Sequence, residues 1–404
     1  MIGFYDARRL VLEQSAVTTV ETVPLLEAGG RVLAESLIAP RDLPTWDTSA
    51  MDGFAVDSAS SVNCPRLTVT GYLPAGVSAD TVRVLPGTAV RIMTGAPIPV
   101  GCDAVVPLEE TVAQGDTVQL QEPVVVGQHI RRQGGDIRAG AVAVPAGIPL
   151  RPQQINLLAS YSCLTVPVHG RVRVAILSTG DELIEPGEPL TAGAVVNSNQ
   201  FSLACAVQEA GGEPVLLGIA RDDRESLLEK LRIGLEADML ITSAGVSAGD
   251  RDLVRDCLAE LGVRQLFWKI AMKPGGPTAF GMYGRVPVFS LPGNPVSTMV
   301  TFEMLVRPAL LTMMGHRKVI RPVQTAVLRD SLAKQPGKTH FVRVGLVFEQ
   351  GVLYADVTGT QHTYNLHTML WADGLALIPA EQASVNAGET VQVCLLGELL
   401  QANG

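Results

Sequence analysis

Apolar and polar positions along the chain follow three successive rhythms. Residues 4–13 repeat at helical spacing, and residues 23–39 read as a short apolar helix or a strand pair ending at Pro40. From 67 to 149 the apolar residues come in short runs punctuated by glycine and proline, such as 82–85, 104–106 and 124–126. These predict a β-rich module, with a helix at 152–160 after it. At Arg171 the rhythm changes. Strand-like runs at 172–177, 215–219, 239–242, 269–273 and 286–290 are interleaved with helical patterns at 198–210 and 224–235 and after Gly249 and Pro295. Strands alternating with helices predict a parallel sheet covered on both faces. Beyond Arg321 short strands return at 323–328, 340–348, 352–357, 375–379 and 391–395, with Glu349-Gln350-Gly351 as a hairpin turn. This last region reads as a small β-barrel.

Three of the sheet-forming strands end in turns with the same chemistry. Met239-Leu240-Ile241-Thr242 runs into Ser243-Ala244-Gly245-Val246-Ser247. The lysine-bearing stretch Lys269-Ile270-Ala271-Met272-Lys273 ends at Pro274-Gly275-Gly276-Pro277, and the strand at 286–290 empties into Leu291-Pro292-Gly293-Asn294-Pro295-Val296-Ser297. Strand ends of an open α/β sheet are where ligands bind, and consecutive N–H groups in glycine-rich turns form anion-binding hollows. A large, highly anionic ligand is the expectation.

Composition narrows the field. The chain has 404 residues, enough for two to four domains, and 47% are apolar. Its net charge of −9 argues against nucleic acid or an anionic membrane as the partner, so an anionic ligand must be met by local charge, backbone dipoles or a metal ion. The N-terminus lacks the apolar region of a signal peptide and no apolar run is long enough to span a bilayer. The six cysteines are scattered with no Cys-x-x-Cys pair, as in a reducing cytoplasm. A soluble cytoplasmic protein is expected.

Each motif carries an ordinary reading beside the functional one. In Ser178-Thr179-Gly180-Asp181-Glu182, Thr179 and the turn amides suit a phosphate and an acid suits a bridging magnesium ion; a plain helix N-cap gives the same pattern. Gly245, Val246 and Ser247, followed by Asp252, repeat that arrangement one strand further on. Lys269 and Lys273 are four apart, so on one strand both ammonium groups share a face, and lysine suits phosphate as a compact point charge with three donors; solvated surface lysines are the alternative. Asp52, Thr94 and Asp136 in isolation are turn residues. His362, Tyr364 and His367 read as structural.

Taken in order, Ser49-Ala50-Met51-Asp52-Gly53, Arg91-Ile92-Met93-Thr94-Gly95-Ala96-Pro97, Gly134-Gly135-Asp136-Ile137 and Ser178-Thr179-Gly180-Asp181-Glu182-Leu183 form one set. With Gly245-Val246-Ser247, Lys273-Pro274-Gly275 and Leu291-Pro292-Gly293-Asn294-Pro295-Val296-Ser297, that set resembles the molybdopterin molybdenumtransferase family of the bacterial MoeA type, similar also to the C-terminal domain of gephyrin. The resemblance runs from about residue 4 to the end. It implies an elongated α/β plus β chain: a discontinuous mixed linker domain (1–45 and 132–170), a β-rich module (46–131), a three-layer α/β molybdopterin-binding domain (171–318) and a C-terminal β-barrel (319–404). It implies a homodimer whose cleft joins the α/β domain of one chain to the β-rich module of the other. The activity implied is insertion of molybdate into adenylylated molybdopterin with release of AMP, with Mg2+ present and a molybdopterin adenylyltransferase as upstream partner. Carried onto this chain, Asp52, Thr94, Asp136, Glu182, Asp222, Asp252, Lys269 and Lys273 line the active site, with Glu182, Asp222 and Asp252 around the metal. Ser178, Thr179, Gly180, Gly245, Val246, Ser247, Pro274, Gly275, Pro292, Gly293, Asn294 and Ser297 hold the pterin substrate.

Departures leave alternatives open. Ala244 stands where the family usually has a second glycine, Gly276 where some members place a lysine, and 361–366 replaces a segment usually richer in Gly, Ser and a basic residue. A scaffold of altered chemistry and a tungstate-preferring enzyme of the same family are the runners-up; a molybdopterin adenylyltransferase lacks the Asp52 and Thr94 motifs in this arrangement.

Overall fold

The computed structural model describes residues 1–63, 65–244 and 253–397. The chain divides into two compact units, Met1–Ala34 with Gly147–Arg151 and Thr165–Gly404, and Glu35–Ala146 with Pro152–Leu164. This division is coarser than the four domains expected above.

The second unit is built on a six-stranded sheet in the spatial order Ala104–Pro107, Gly53–Val56, Thr88–Ile92, Arg66–Leu73, Thr117–Leu120, Thr111–Gln114. Gly53–Val56 is buried throughout, because Phe54 and Val56 enter a core on one face while Ala55 enters a second core on the other. Gly53 cannot carry a side chain: a Cβ there would collide with the Val106 carbonyl. Two expected strands are absent. Residues 82–85 follow a turn closed by Val82 N–H to Ala79 O (3.0 Å) and make one isolated bridge, from Arg83 to Val100, and 124–126 form no strand, with Val125 and Val126 exposed. An apolar run without a neighbouring strand to pair with does not become one.

The first unit holds the α/β domain. Its strands are β1 (Arg173–Thr179), β2 (Glu213–Ala220), β3 (Met239–Ser243), β4 (Arg264–Trp268), β5 (Ala279–Tyr283) and β6 (Val286–Leu291). They lie in the order β2-β1-β3-β6-β5-β4. Helices α1 (Ser198–Glu209) and α4 (Pro295–Thr301, continued through a π turn at Phe302–Val306 into Arg307–Met313) cover one face. Helices α2 (Arg224–Gly234) and α3 (Leu253–Glu260) cover the other. Alternation along β1 sorts the side chains: Val174 and Ile176 pack toward α1 and α4, Ala175 and Leu177 toward α2 and α3. The run Pro295–Met313 is long and apolar enough to cross a membrane, but 83% of that window is buried in the protein, as a core helix is.

Two corrections follow. The sheet is mixed: β1, β2, β3 and β6 are parallel, but β5 and β4 extend it antiparallel. The link from Tyr283 to Val286 is only Gly284-Arg285, too short for a crossover, so β5 and β6 form a hairpin. The lysine stretch is also not a strand of this sheet. Ile270–Lys273 pairs in parallel with Ile2–Gly3 and with Thr339–His340 of the barrel. Lys269 lies before it with φ 68°, so the two lysines do not share a strand face.

The barrel consists of β7 (Val323–Leu328), β8 (Thr339–Glu349), β9 (Val352–Val357), β10 (Gly374–Ile378) and β11 (Thr390–Leu395), closed in the order β8-β9-β7-β11-β10-β8. Gln350 and Gly351, both at positive φ, make the expected tight turn between β8 and β9. The unusual segment 361–366 is held by Arg343 of β8. Its fully buried guanidinium donates to Thr368 Oγ1 (2.8 Å) and to the carbonyls of Thr360 (3.1 Å) and His362 (3.2 Å). His362 and Tyr364 stack at 5.2 Å.

Candidate active site

At the C-terminal ends of β1, β3 and β6 lies a cavity of about 790 Å3. Ser178, Thr179, Gly180 and Glu182 line it from the end of β1, and Asp222 from the end of β2. Ser243 and Ala244 line it from β3, and Pro292, Gly293 and Asn294 from the turn after β6. This is where a parallel α/β sheet places its ligands. The amino ends of α1, α3 and α4 all reach the wall, through Ser198, Leu253 and Pro295. Unpaired N–H groups at such ends favour anions. No lysine or arginine is among the described lining residues, so an anion would be held there by backbone and hydroxyl donors.

Local bonds fix the wall. Gly180 has φ 147°, and a Cβ on it would come within 2.5 Å of the Glu182 carboxylate, so the glycine lets that side chain fold back beside the strand end. Arg221 ties the turn to β2, donating to the carbonyls of Asp181 (3.1 Å) and Leu183 (2.9 Å), while Asp181 Oδ1 accepts from Asp222 N–H at 3.1 Å. Asn199 Nδ2 donates to Ser243 Oγ (2.9 Å) and to Gly293 O (2.8 Å), joining the turns after β3 and β6. Ser178 Oγ and Thr179 Oγ1 are buried and have no partner among the described residues, as expected of donors reserved for a ligand.

Of the residues proposed from sequence, Ser178, Thr179, Gly180, Glu182, Asp222, Pro292, Gly293 and Asn294 come together on this cavity. Gly245, Val246, Ser247 and Asp252 lie outside the described residues. Pro274, Gly275 and Ser297 are buried and Lys273 is exposed; none of the four is on the described wall. A Cβ on Gly275 would come within 2.5 Å of Thr301 Oγ1, so that turn packs on α4. Lys269 is also off the wall, with its ammonium 3.9 Å from the centre of the Trp268 ring, which Arg255 also approaches at 5.0 Å.

In the other unit, Asp52 and Thr94 meet: Asp52 Oδ1 accepts from Thr94 N–H at 2.6 Å and from Thr94 Oγ1 at 2.7 Å. The Thr94 N–H first and its hydroxyl second hold the Asp52 carboxyl below its usual range. Asp136 is exposed on a turn whose N–H bonds Leu43 O at 3.0 Å, and no bond joins it to Asp52 or Thr94. Sequence reasoning passed over Asn197, Asn199 and Arg221. The pattern Asn197-Ser198-Asn199 at a helix start was the available signal for the first two, and it reads as ordinary capping.

Among the described residues no group of three or more His, Cys, Asp or Glu is placed to hold a metal ion. Glu182 and Asp222 do share the cavity wall, and one or two carboxylates are all that a magnesium ion needs when phosphate oxygens complete its shell.

Comparison with known proteins agrees along the whole chain. Residues 2–162 match the MoeA N-terminal region (domain I and II), 175–312 a probable molybdopterin binding domain, and 325–396 the MoeA C-terminal region (domain IV). The chain is 39% identical over 404 residues to molybdopterin molybdenumtransferase 2 of Mycobacterium tuberculosis, covering 97% of this chain and 99% of that one. It is 36% identical over 407 residues to the molybdopterin molybdenumtransferase of Haemophilus influenzae, covering 99% and 100%. The crystal structure of the molybdopterin biosynthesis moeA protein from Pyrococcus horikoshii OT3 superposes with a TM-score of 0.84 at 30% identity, covering 98% of this chain and 100% of that one.

Proposed function

The chain belongs to the molybdopterin molybdenumtransferase (MoeA) family, and we propose that it inserts molybdate into adenylylated molybdopterin and releases AMP. It is a transferase of molybdenum cofactor biosynthesis. The observation that carries the finer reading is the cavity at the strand ends, with unpartnered buried hydroxyls, three helix amino ends and two carboxylates on one wall. That combination suits a phosphoanhydride accompanied by a divalent cation.

In this reading Ser178 and Thr179 donate to phosphate oxygens, and Gly293 and Asn294 present the amino end of α4 to the same charge. Molybdate bonds to both dithiolene sulfurs as one of its oxygens leaves as water with the two thiol protons, and the oxygen of a water molecule attacks the adenylate phosphorus. The bond from that phosphorus to the bridging oxygen breaks, its electron pair stays on the molybdopterin phosphate, and AMP departs. Glu182 and Asp222 would hold the Mg2+ ion, with Asp252 as the third candidate; when bound, the ion neutralises phosphate charge as it shifts to the leaving group. Lys269 and Lys273 are proposed to offset oxyanion charge from the stretch that leads to the barrel. We assign Asp52, Thr94 and Asp136 to a second surface that completes the site across a homodimer. An adenylyltransferase delivering the activated pterin is the proposed partner. The five described cysteines are free thiols, which supports a cytoplasmic setting.

Single-turnover AMP release from adenylylated molybdopterin with Mg2+, comparing molybdate, tungstate and neither, tests the reading. Oxyanion-dependent release is expected, and the faster anion identifies the preferred metal. Release without either anion would indicate a plain hydrolase, and tight binding with no release a scaffold.

A further inference from the structure

Asn197 occupies the N-cap of α1 and does not cap it: its side chain makes no bond to the helix. It lines the cavity, it is 2% exposed, and both Oδ1 and Nδ2 lack a hydrogen-bond partner among the described residues. Two residues on, Asn199 Oδ1 is likewise buried and unpartnered. A carboxamide buried with both ends unpaired is costly, and giving up the cap forgoes a further stabilising bond. A chain that places such a group on a ligand cavity uses it on the ligand.

We propose that the Asn197 carboxamide, supported by Asn199 Oδ1, reads the hydrogen-bonding edge of a planar nitrogen heterocycle bound in this cavity. The inference rests on the proposed function and names which part of that substrate these residues recognise. Phosphate cannot be the counterpart. Its ionised oxygens only accept, so they would satisfy Asn197 Nδ2 and leave both Oδ1 atoms unmet. Those oxygens need donors, N–H or O–H, which phosphate lacks. Exchanging the amide atoms does not escape this, since Asn197 lacks partners at both ends, and Asn199 Nδ2 is fixed by its bond to the Gly293 carbonyl, which accepts only. A heterocycle with an amino group beside a ring acceptor meets both needs, as adenine does when asparagine reads it. Leu183, Val195 and Val196 on the same wall give a ring an apolar surface. Adenine and pterin both carry such an edge, and ligand choice separates them.

Calorimetric titration of the full-length protein with AMP, neopterin and inorganic pyrophosphate, in wild type and Asn197→Leu, tests the inference. Asn197→Leu is expected to weaken one ring-bearing ligand at least about tenfold and to leave pyrophosphate within about twofold. The affected ligand, AMP or neopterin, identifies the ring. The ligand-free variant should melt no lower than wild type, because two unsatisfied buried atoms have been removed. Unchanged ring affinity or equal weakening of all three ligands overturns it. If the variant does not fold, wild type alone decides: AMP against purine riboside monophosphate, and neopterin against its 2-deamino analogue, where equal affinity within both pairs overturns it. AMP release assayed alongside separates the two claims. Oxyanion-dependent release by wild type with ring affinity intact in Asn197→Leu sinks only this inference, whereas absent release from wild type removes the reading beneath it.

Discussion

Asp52 Oδ1 accepts two hydrogen bonds from Thr94, one from its N–H at 2.6 Å and one from its hydroxyl at 2.7 Å, although 42 residues separate them. The sheet makes the meeting possible. Gly53 pairs with Ile92 across adjacent strands, so the residues just before one strand and just after the other come together at its end. The two bonds keep the Asp52 carboxyl ionised below its ordinary range. Asp52→Asn should lower turnover at least about tenfold, the effect of losing a positioned charge in transition-state stabilisation. Its melting temperature should stay within a few degrees of wild type, because the group stands at the surface end of the sheet. A variant with normal single-turnover AMP release would take Asp52 out of the chemistry.

The homodimer proposal has a sharper test than the size of the particle. Asp52→Asn and Glu182→Ala damage different units of the chain. If one protomer's Asp52 surface completes its partner's cavity, mixing two inactive variants creates heterodimers with one intact site. Equimolar subunit exchange should then restore about a quarter of wild-type activity, as random pairing in a two-fold dimer requires. Activity that stays at the level of the separate variants would place both residues in one protomer's site.

Most of the α/β domain was legible in the sequence because burial on two faces leaves continuous apolar runs, as in β1, β3 and β6. The barrel was legible because short strand-like runs recur along this region and its turn carries Gln350-Gly351. What escaped was pairing, which no local pattern encodes. The stretch Ile270–Lys273 reads as a sheet strand, yet its partners are Ile2–Gly3 at the N-terminus and β8 in the barrel. Of the site, the turns with their acids and hydroxyls were visible as motifs. Asn197 was not, because an asparagine before a helix is expected to cap it, and only the structure shows that this one does not.

His340 on β8 gives the stability of the protein a pH dependence. Burial first, then the charges of Lys334, Lys273 and Lys338, push its pKa from 6.5 down to about 4. Three of the six lysines in the chain thus surround one imidazole. A histidine with a lowered folded pKa contributes its full share of stability above 6.5, where neither state binds the proton. Between 6.5 and about 4 the unfolded chain takes up a proton that the folded one refuses, so that share is lost as the pH falls. The melting temperature should decline over this window, and His340→Phe should flatten the decline. Parallel curves for variant and wild type from pH 7.5 to 4.5 would show that His340 is not the group responsible.

The cavity floor depends on a contact between the turns after β3 and β6. Ala244 holds φ 77°, a conformation that costs a residue with a Cβ about 1 kcal/mol. Opposite it, a Cβ on Gly293 would lie 3.1 Å from the Ala244 Cβ, too close unless one turn shifts. Ala244→Gly alone should change stability little, since the relief of strain is offset by the greater freedom of glycine in the unfolded chain, about 0.4–1 kcal/mol. Gly293→Ala alone should destabilise by about 1 kcal/mol or more through overpacking. It should also weaken ligand binding, because the Gly293 carbonyl that anchors Asn199 must move with its turn. In the double variant the opposing Cβ is gone, so Gly293→Ala should become nearly harmless, a coupling of about 1 kcal/mol. Urea unfolding of the four proteins measures that coupling directly. Strictly additive changes would mean that the two turns do not press on each other, and that Ala244 narrows nothing in the cavity.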